Sequence, residues 1–126
     1  MIFKLKTSKS TMTMFEEVGS TTHLQPFALC KLAMALSLHS SEPLKDSDFK
    51  TDNDGLELNR QTITGEYDDL FKALIISHTE KKINDDEYFP KYVKAHIDRG
   101  AKYLFLEYKY SNKNFYKHLL ELDKGV

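Results

Sequence analysis

The stretch from Phe27 to Leu38, FALCKLAMALSL, constrains the fold more than any other part of the 126-residue chain. Its only charged residue is Lys31, so a helix over this stretch is apolar on nearly every side. A helix that is hydrophobic all round has to be enclosed by other protein. One domain of this size offers little material for that purpose. The sequence therefore predicts that this helix forms the centre of the core or of a homo-oligomer.

The segment TGEYDDLFKALIISH has the spacing of an amphipathic helix. Its apolar residues recur at intervals of three and four between Tyr67 and His78, which places them on one helix face. Thr64 is suited to cap this helix, and Gly65 and Glu66 follow the cap. Glu66 then lies near the positive end of the helix dipole. We therefore interpret Gly65 and Glu66 as structural residues.

The segment KAHIDRGAKYL, residues 94–104, brings His96, Asp98 and Arg99 within four positions, as a catalytic cluster would. The apolar spacing around it instead places His96 on the buried face of a second amphipathic helix. His96 and Asp98 diverge by about 200° on a helix, so they make a poor catalytic pair. Gly100 costs about 1 kcal/mol of helix propensity, which the close approach of a neighbouring helix would justify. His96 and Gly100 are therefore predicted to be structural.

The remaining patterns complete a mainly α fold. The alternation in IFKLK predicts a short N-terminal strand, and Ser8 or Ser10 then caps a helix that ends at Gly19. A weak extended piece is indicated at Leu56 and Leu58, after a polar, acidic loop. The chain is thus predicted to be a single helical domain with a strand-helix-helix start, similar to that of ribbon-helix-helix proteins. Two amphipathic helices and a C-terminal helical tail follow.

Motifs for catalysis and metal binding are absent from the sequence. It lacks the glycine-rich loops, the nucleophile elbow and the paired-histidine spacing of common enzyme families. DSDFKTDNDG resembles a calcium loop, but alignment on Gly55 puts Lys50 and Gln61 at ligand positions that require other residues. Cys30 is the only cysteine, so no intrachain disulfide can form. We predict no enzyme activity, no catalytic or metal-binding residues and no cofactor, in a reducing, cytoplasmic setting.

Charge is distributed unevenly along the chain, although the net charge is only −1. Residues 39–86 carry six basic against twelve acidic residues, whereas residues 87–126 carry eight against five. Basic ends around an acidic middle indicate an anionic partner at one face. No apolar run approaches the length that spans a membrane, so a membrane is not an expected partner.

Lysines interleaved with aromatic residues are the best indication of nucleic-acid binding. Such residues can follow a phosphate backbone while the rings stack against bases or sugars. A solvated helix face with half-buried tyrosines is the competing interpretation. The cations lie on the predicted strand, just beyond it and on the second amphipathic helix. The predicted DNA-binding residues are Lys4, Lys6, Lys9, Lys91, Lys94, Arg99 and Lys102.

Four blocks of sequence occur in a characteristic order and spacing. They are KLKTSKSTMTMF, LQPFALCKLAMALSL, ITGEYDDLFKALI and YFPKYVKAHIDRGAKYL. Together they resemble the DndE family of the DNA phosphorothioation, or sulfur-modification, system. The pair Arg99-Gly100, with Gly65-Glu66 upstream, is the most specific part of the match. We expect a DndE-like domain over residues 1–106 and a C-terminal extension over residues 107–126.

This resemblance implies a non-enzymatic subunit that forms a homotetramer and binds double-stranded DNA, with a preference for nicked duplex. It also implies protein partners, including a cysteine desulfurase-linked complex, that exchange a non-bridging phosphate oxygen for sulfur. Two other functions stay open. The chain could be an assembly scaffold of the same system with little DNA affinity, or a ribbon-helix-helix-like transcriptional regulator.

Overall fold

The computed structural model describes residues 3–111 and 115–121, and its only sheet within these ranges has two strands. β1 (Lys4–Lys6) and β2 (Glu57–Asn59) are antiparallel, with Leu5 opposite Leu58. Both leucines are buried, while the strand residues on either side are exposed. This is the period-two burial of a strand with one face on the core. The predicted N-terminal strand and the weak extended piece are confirmed.

Helices make up most of the described residues, so the predicted mainly α fold is confirmed. They are α1 (Lys9–Thr22), α2 (Pro26–His39), α3 (Arg60–Ile63), α4 (Asp68–Thr79), α5 (Asp85–Glu87), α6 (Lys94–Ser111) and α7 (Phe115–Glu121). A π-helical stretch, Tyr88–Val93, joins α5 to α6 without a break. None of the helices in the described ranges is long and apolar enough to cross a bilayer.

The start of α1 agrees with the sequence, but its end does not. Ser8 caps the helix, because its Oγ accepts a hydrogen bond from the backbone N–H of Thr11 at 3.1 Å. The predicted end at Gly19 is wrong, since α1 continues to Thr22. His23 ends the helix with a left-handed φ of 63°, the conformation that a glycine would more often supply.

The core is centred on the contact between α2 and α6. A Cβ atom built at Gly100 would stand 1.7 Å from the carbonyl oxygen of Ala33, so the two backbones approach too closely for any side chain at this point. Leu29, Cys30 and Met34 of α2 are fully buried beside this contact. The inner face of α2 therefore forms the centre of the core.

The outer face of α2 is left uncovered by the other residues that the structure describes. Phe27 is 44% exposed, Lys31 and Ala35 are exposed, and Leu32 and Leu36 are only half-buried. A single chain thus encloses one side of a helix that is apolar all round. The other side remains available to further protein.

The apolar face predicted for residues 67–78 is only partly covered. Ile75 is fully buried in α4, but Leu70 is 55% exposed and Leu74 is 45% exposed. The apolar spacing correctly indicates a helix, yet it does not tell how much of the face the chain itself will cover.

α7 packs against the end of α6. Phe115 is buried, and its ring meets the ring of Tyr108 edge-on, with the ring centres 5.6 Å apart. His118 of α7 contacts Glu107 of α6. The boundary predicted after residue 106 falls inside α6, so the proposed extension begins within a helix rather than at a linker.

Candidate nucleic-acid interface

Lys94 was predicted as an exposed cation, but the structure buries it. Its Nζ donates hydrogen bonds to Asp98 Oδ2 at 2.7 Å, to the backbone oxygen of Asp52 at 2.9 Å and to Thr51 Oγ1. These bonds use all three donors of the ammonium group. The expectation that Lys94 is an exposed DNA contact is therefore wrong. Regular helical spacing would put Lys91 and Lys94 near one face, but the π-helical stretch before Lys94 changes that angular spacing.

Asp98 is the other half of this buried ion pair and is only 2% exposed. Its Oδ1 accepts hydrogen bonds from Ser8 N at 3.1 Å and from Thr11 Oγ1 at 2.7 Å. Its Oδ2 accepts one from Thr51 Oγ1 at 2.6 Å in addition to the bond from Lys94. A buried carboxylate needs such partners to stay charged. Asp98 thereby joins the start of α1, the loop before β2 and α6.

Arg99 was also predicted as a DNA contact, and it too is buried. Its guanidinium donates to the backbone oxygen of Ser37 at 2.6 Å, to Ser37 Oγ at 2.8 Å and to the backbone oxygen of Glu42 at 2.8 Å. These acceptors lie in the last turn of α2 and just beyond it. A cation there also complements the negative end of the helix dipole. The predicted exposure of Arg99 is wrong, because Arg99 caps a helix that is distant in sequence.

Three of the predicted lysines lie on one surface. Lys4 and Lys6 line a shallow cavity of about 320 Å³, which Asn53 and Pro90 border. Asn53 and Pro90 also border a second cavity of about 150 Å³, which the exposed Lys91 and the buried Lys94 line. We refer to these two adjoining cavities as the lysine cleft. The fold therefore brings the lysines of β1 and the lysine of the π-helical stretch together.

The other two predicted lysines are exposed but do not line the lysine cleft. Lys9 is the first residue of α1, and Lys102 lies farther along α6. Neither borders the two cavities. Both stay predictions as DNA contacts, outside the lysine cleft.

Two carboxylates lower the positive charge of the lysine cleft, and an aromatic ring contacts one of its lysines. Glu57 lines the first cavity and is the cross-strand partner of Lys6. Asp48 lines the second cavity, where the Nζ of Lys91 lies 5.2 Å from the ring centre of Phe49. A cation held over a ring face is partly oriented while its charge stays available. The cleft is thus a mixed polar surface in which lysines outnumber acids.

Asn53 and Pro90, the two residues shared by both cavities, were not predicted as site residues. The run Asp-Asn-Asp-Gly is typical of a turn, but nothing in it indicates that the turn lies beside β1. Pro90 lies in the π-helical stretch, whose existence the apolar spacing did not reveal. Both positions depend on long-range packing.

His96 is fully buried and acts as a packing residue with one polar contact. Its Nδ1 shares a hydrogen bond with Ser37 Oγ at 2.7 Å, and its ring meets the ring of His78 edge-on at 5.1 Å. Burial lowers the pKa of His96 to about 3, and repulsion from His78 and Arg99 adds to that effect. The imidazole is therefore neutral near pH 7.

The buried His96 predicts acid sensitivity. Unfolded chains take up a proton at His96 as the pH falls below about 6.5, whereas the folded chain does so only near pH 3. Stability should therefore fall through this window, by up to about 1.4 kcal/mol per pH unit. We expect His96→Gln to remove this component in urea unfolding at pH 7, 6 and 5. Equal pH slopes for parent and variant would contradict the prediction.

The remaining structural and reactive candidates have plain environments. Gly65 has a φ of 49° in a 3₁₀ turn before α4, which favours glycine, and Glu66 beside it is exposed.

Burial, with the charge of Asp98, raises the pKa of the Cys30 thiol to about 12. Within the described ranges, no three His, Cys, Asp or Glu residues are grouped to hold a metal ion.

A family model described as "DNA sulphur modification protein DndE" matches residues 4–112. This range includes every element from β1 to the end of α6. The chain belongs to the DndE family. The resemblance carried by the four sequence blocks is confirmed, and the match extends six residues beyond the predicted boundary at 106.

Solved DndE structures have the same fold. The structure of DndE from Escherichia coli B7A, involved in DNA phosphorothioation modification, aligns with a TM-score of 0.66 at 18% identity. A DndE mutant involved in DNA phosphorothioation aligns with a TM-score of 0.62, also at 18% identity. Each alignment covers 82% of this chain and 97% of the other chain. No curated protein matches the chain in sequence.

Proposed function

We propose that this DndE family member is a non-enzymatic subunit of the phosphorothioation system that binds duplex DNA through the lysine cleft. The observation that carries the proposal is the convergence of Lys4, Lys6 and Lys91 on one surface. With a net charge of −1, the molecule as a whole does not attract DNA over long distances. Clustered cations therefore have to supply the attraction, by displacing counterions from phosphates.

A preference for nicked duplex is part of the same proposal. An interrupted strand can bend at lower energetic cost than intact duplex, since less stacking has to be deformed. A cleft with lysines on two sides would then reach phosphates on both sides of the nick. Titrations with nicked and intact duplexes of the same sequence test this preference directly.

Replacing Lys4 and Lys6 together with alanine should weaken binding to every duplex. Each lost phosphate contact lowers the slope of log K against log salt by about 0.9, so the double variant should lose about 1.8. Lys91→Ala should lose about half as much. Fluorescence anisotropy at several salt concentrations measures both quantities.

A matched control removes the same charge elsewhere. Lys82 and Lys117 are exposed and do not border the lysine cleft, so their double replacement with alanine should change the slope little. Parental affinity for nicked duplex in both the Lys4/Lys6 and the Lys91 variants would refute the cleft as the DNA site. The assembly scaffold would then be the better function.

The transcriptional-regulator alternative is less well supported. In ribbon-helix-helix proteins, the DNA-binding ribbon pairs one strand from each of two chains. Here β1 pairs with β2 of the same chain. Binding of an operator-like duplex more tightly than nicked duplex of unrelated sequence would favour the regulator.

We also propose that the chain forms a homotetramer in the cytoplasm and contacts other phosphorothioation proteins, including a cysteine desulfurase-linked complex. The uncovered outer face of α2 supports self-association, because it leaves apolar side chains in water. Tetramer formation would also repeat the lysine cleft by symmetry and strengthen weak single contacts.

Phe27→Asp is expected to dissociate the tetramer without unfolding the chain. Phe27 is 44% exposed in the single chain, so a charge there is tolerated by the monomer but not by a dry interface. Leu32→Asp would confuse the two effects, since Leu32 is half-buried. Sedimentation equilibrium measures the mass, and Leu120→Asp, at a position 77% exposed on α7, is the control. A monomeric parent protein at micromolar concentration would refute self-association.

A further inference from the structure

We propose that Asn53, whose backbone is held at the centre of the lysine cleft, is a DNA-contacting residue that donates a hydrogen bond to the nucleic acid. The inference rests on the proposed DNA binding and names a further residue at the same site. Asn53 borders both cavities, with Lys4 and Lys6 on one side and Lys91 on the other. It is exposed, and no group in the described ranges forms a hydrogen bond with its side chain.

The turn that carries Asn53 is fixed at its start by Asp52. The Oδ1 of Asp52 accepts a hydrogen bond from the backbone N–H of Lys9 at 2.8 Å and another from that of Asp54 at 3.0 Å. Asn53 is therefore the middle residue of a turn tied to the first residue of α1. These backbone hydrogen bonds also lower the pKa of Asp52, so its carboxylate stays ionised and directed at the backbone.

The turn is fixed a second time by the buried ion pair. The Nζ of Lys94 donates to the backbone oxygen of Asp52 at 2.9 Å, and Asp98 holds that ammonium in place. Lys94, which also lines the second cavity, thus acts as a positioning residue for the turn.

A third contact fixes the turn at its end. The backbone N–H of Gly55 donates to the backbone oxygen of Thr7 at 2.9 Å. A Cβ atom at Gly55 would stand 2.1 Å from the backbone oxygen of Ser8, so a side chain does not fit there. With the backbone held on both sides of Asn53, little backbone conformational entropy is lost when this residue forms a contact.

The chemistry of the amide suits the space between lysines. Lysines bind phosphates and set the position of the duplex, whereas an amide donates to a phosphate oxygen or pairs with a base edge. The amide is also neutral, while its neighbours Asp52 and Asp54 are acidic. An aspartate at position 53 would add a negative charge at the point where the two cavities meet. The electrostatics of the cleft therefore favour an amide over an acid at its centre.

Asn53→Ala should weaken duplex binding roughly three- to tenfold, the effect of losing one hydrogen bond. Its salt slope should equal that of the parent protein, because an amide neutralises no phosphate. Asn53→Asp should bind more weakly than Asn53→Ala at low salt. Asn84→Ala is the control, since Asn84 is exposed and makes no side-chain capping bond at α5. Thermal unfolding of each variant checks that the fold is retained.

Two duplexes of equal length, one A·T-rich and one G·C-rich, distinguish the acceptors. An equal loss on both identifies a phosphate oxygen, and an unequal loss identifies a base edge. If Asn53→Ala binds DNA as tightly as the parent protein while the Lys4/Lys6 variant binds more weakly, this inference is overturned and the proposed function stays in place. A parent protein that binds neither duplex would overturn both. A lowered salt slope in Asn53→Ala would also contradict a direct amide contact.

Discussion

Gly100→Ala, the smallest possible addition at this position, is expected to destabilise the protein by several kcal/mol or to prevent folding. The new Cβ would stand 1.7 Å from the backbone oxygen of Ala33 and 2.3 Å from its carbonyl carbon. Both atoms belong to a helix backbone, so α2 and α6 would have to move apart. Overpacking, with the shifts that it forces, typically costs about 1–3 kcal/mol and occasionally more. A clash between two helix backbones cannot be relieved by a change of rotamer, so we expect a cost at or above the upper end of that range. The gain of about 1 kcal/mol in helix propensity does not offset it.

The measurement is the urea midpoint by circular dichroism, with Gly19→Ala as the matched control. Gly19 also lies inside a helix, but its Cβ would approach no atom closer than the backbone oxygen of Leu24 at 3.2 Å. We expect that variant to stay within about 1 kcal/mol of the parent protein, because the gain in helix propensity compensates the tight contact. Gly100→Val should be worse than Gly100→Ala. A stable, fully folded Gly100→Ala protein would show that α2 and α6 do not meet as described.

The contact at Gly100 also shows what the sequence can predict. A glycine on the apolar face of a helix indicated a close neighbour, and the apolar stretch around Cys30 indicated a central helix. Both inferences use only local spacing and helix propensity. All the information that they need lies within a single segment of the sequence. The sequence could not show that these two segments contact each other, since no local pattern specifies a partner.

The same limit explains the errors at Lys94 and Arg99. A charged residue on a helix is usually solvated, and that general preference made both look like DNA contacts. The burial of Lys94 depends on its ion pair with Asp98, and the burial of Arg99 depends on its hydrogen bonds to the end of α2. The i, i+4 spacing of Lys94 and Asp98 did allow an ion pair, but the sequence did not reveal the loop that covers it. Three exposed lysines converge because β1 packs beside the π-helical stretch, which is again a long-range contact.

Asp98→Ala is expected to lower the free energy of unfolding by about 3–5 kcal/mol, the usual effect of removing one partner of a buried ion pair. It leaves the ammonium of Lys94 buried without its countercharge, and it removes the acceptor of Ser8 N and Thr11 Oγ1. Lys94→Met should also be costly, because Asp98 then lacks its cation. The double variant Lys94→Met/Asp98→Ala should lose less than the sum, since neither charge is left alone.

A double-mutant cycle by urea unfolding measures this coupling, and an exposed ion pair provides the control. Lys109 Nζ and Glu17 Oε2 lie 2.9 Å apart, with side chains 55% and 46% exposed. The corresponding cycle on that pair should give a coupling energy below about 1 kcal/mol. If the stability losses of the Lys94 and Asp98 single variants simply add in the double variant, a buried ion pair is contradicted. Lys94→Met should also keep the parental salt slope for DNA, because a buried ammonium that is paired with Asp98 does not contact a phosphate.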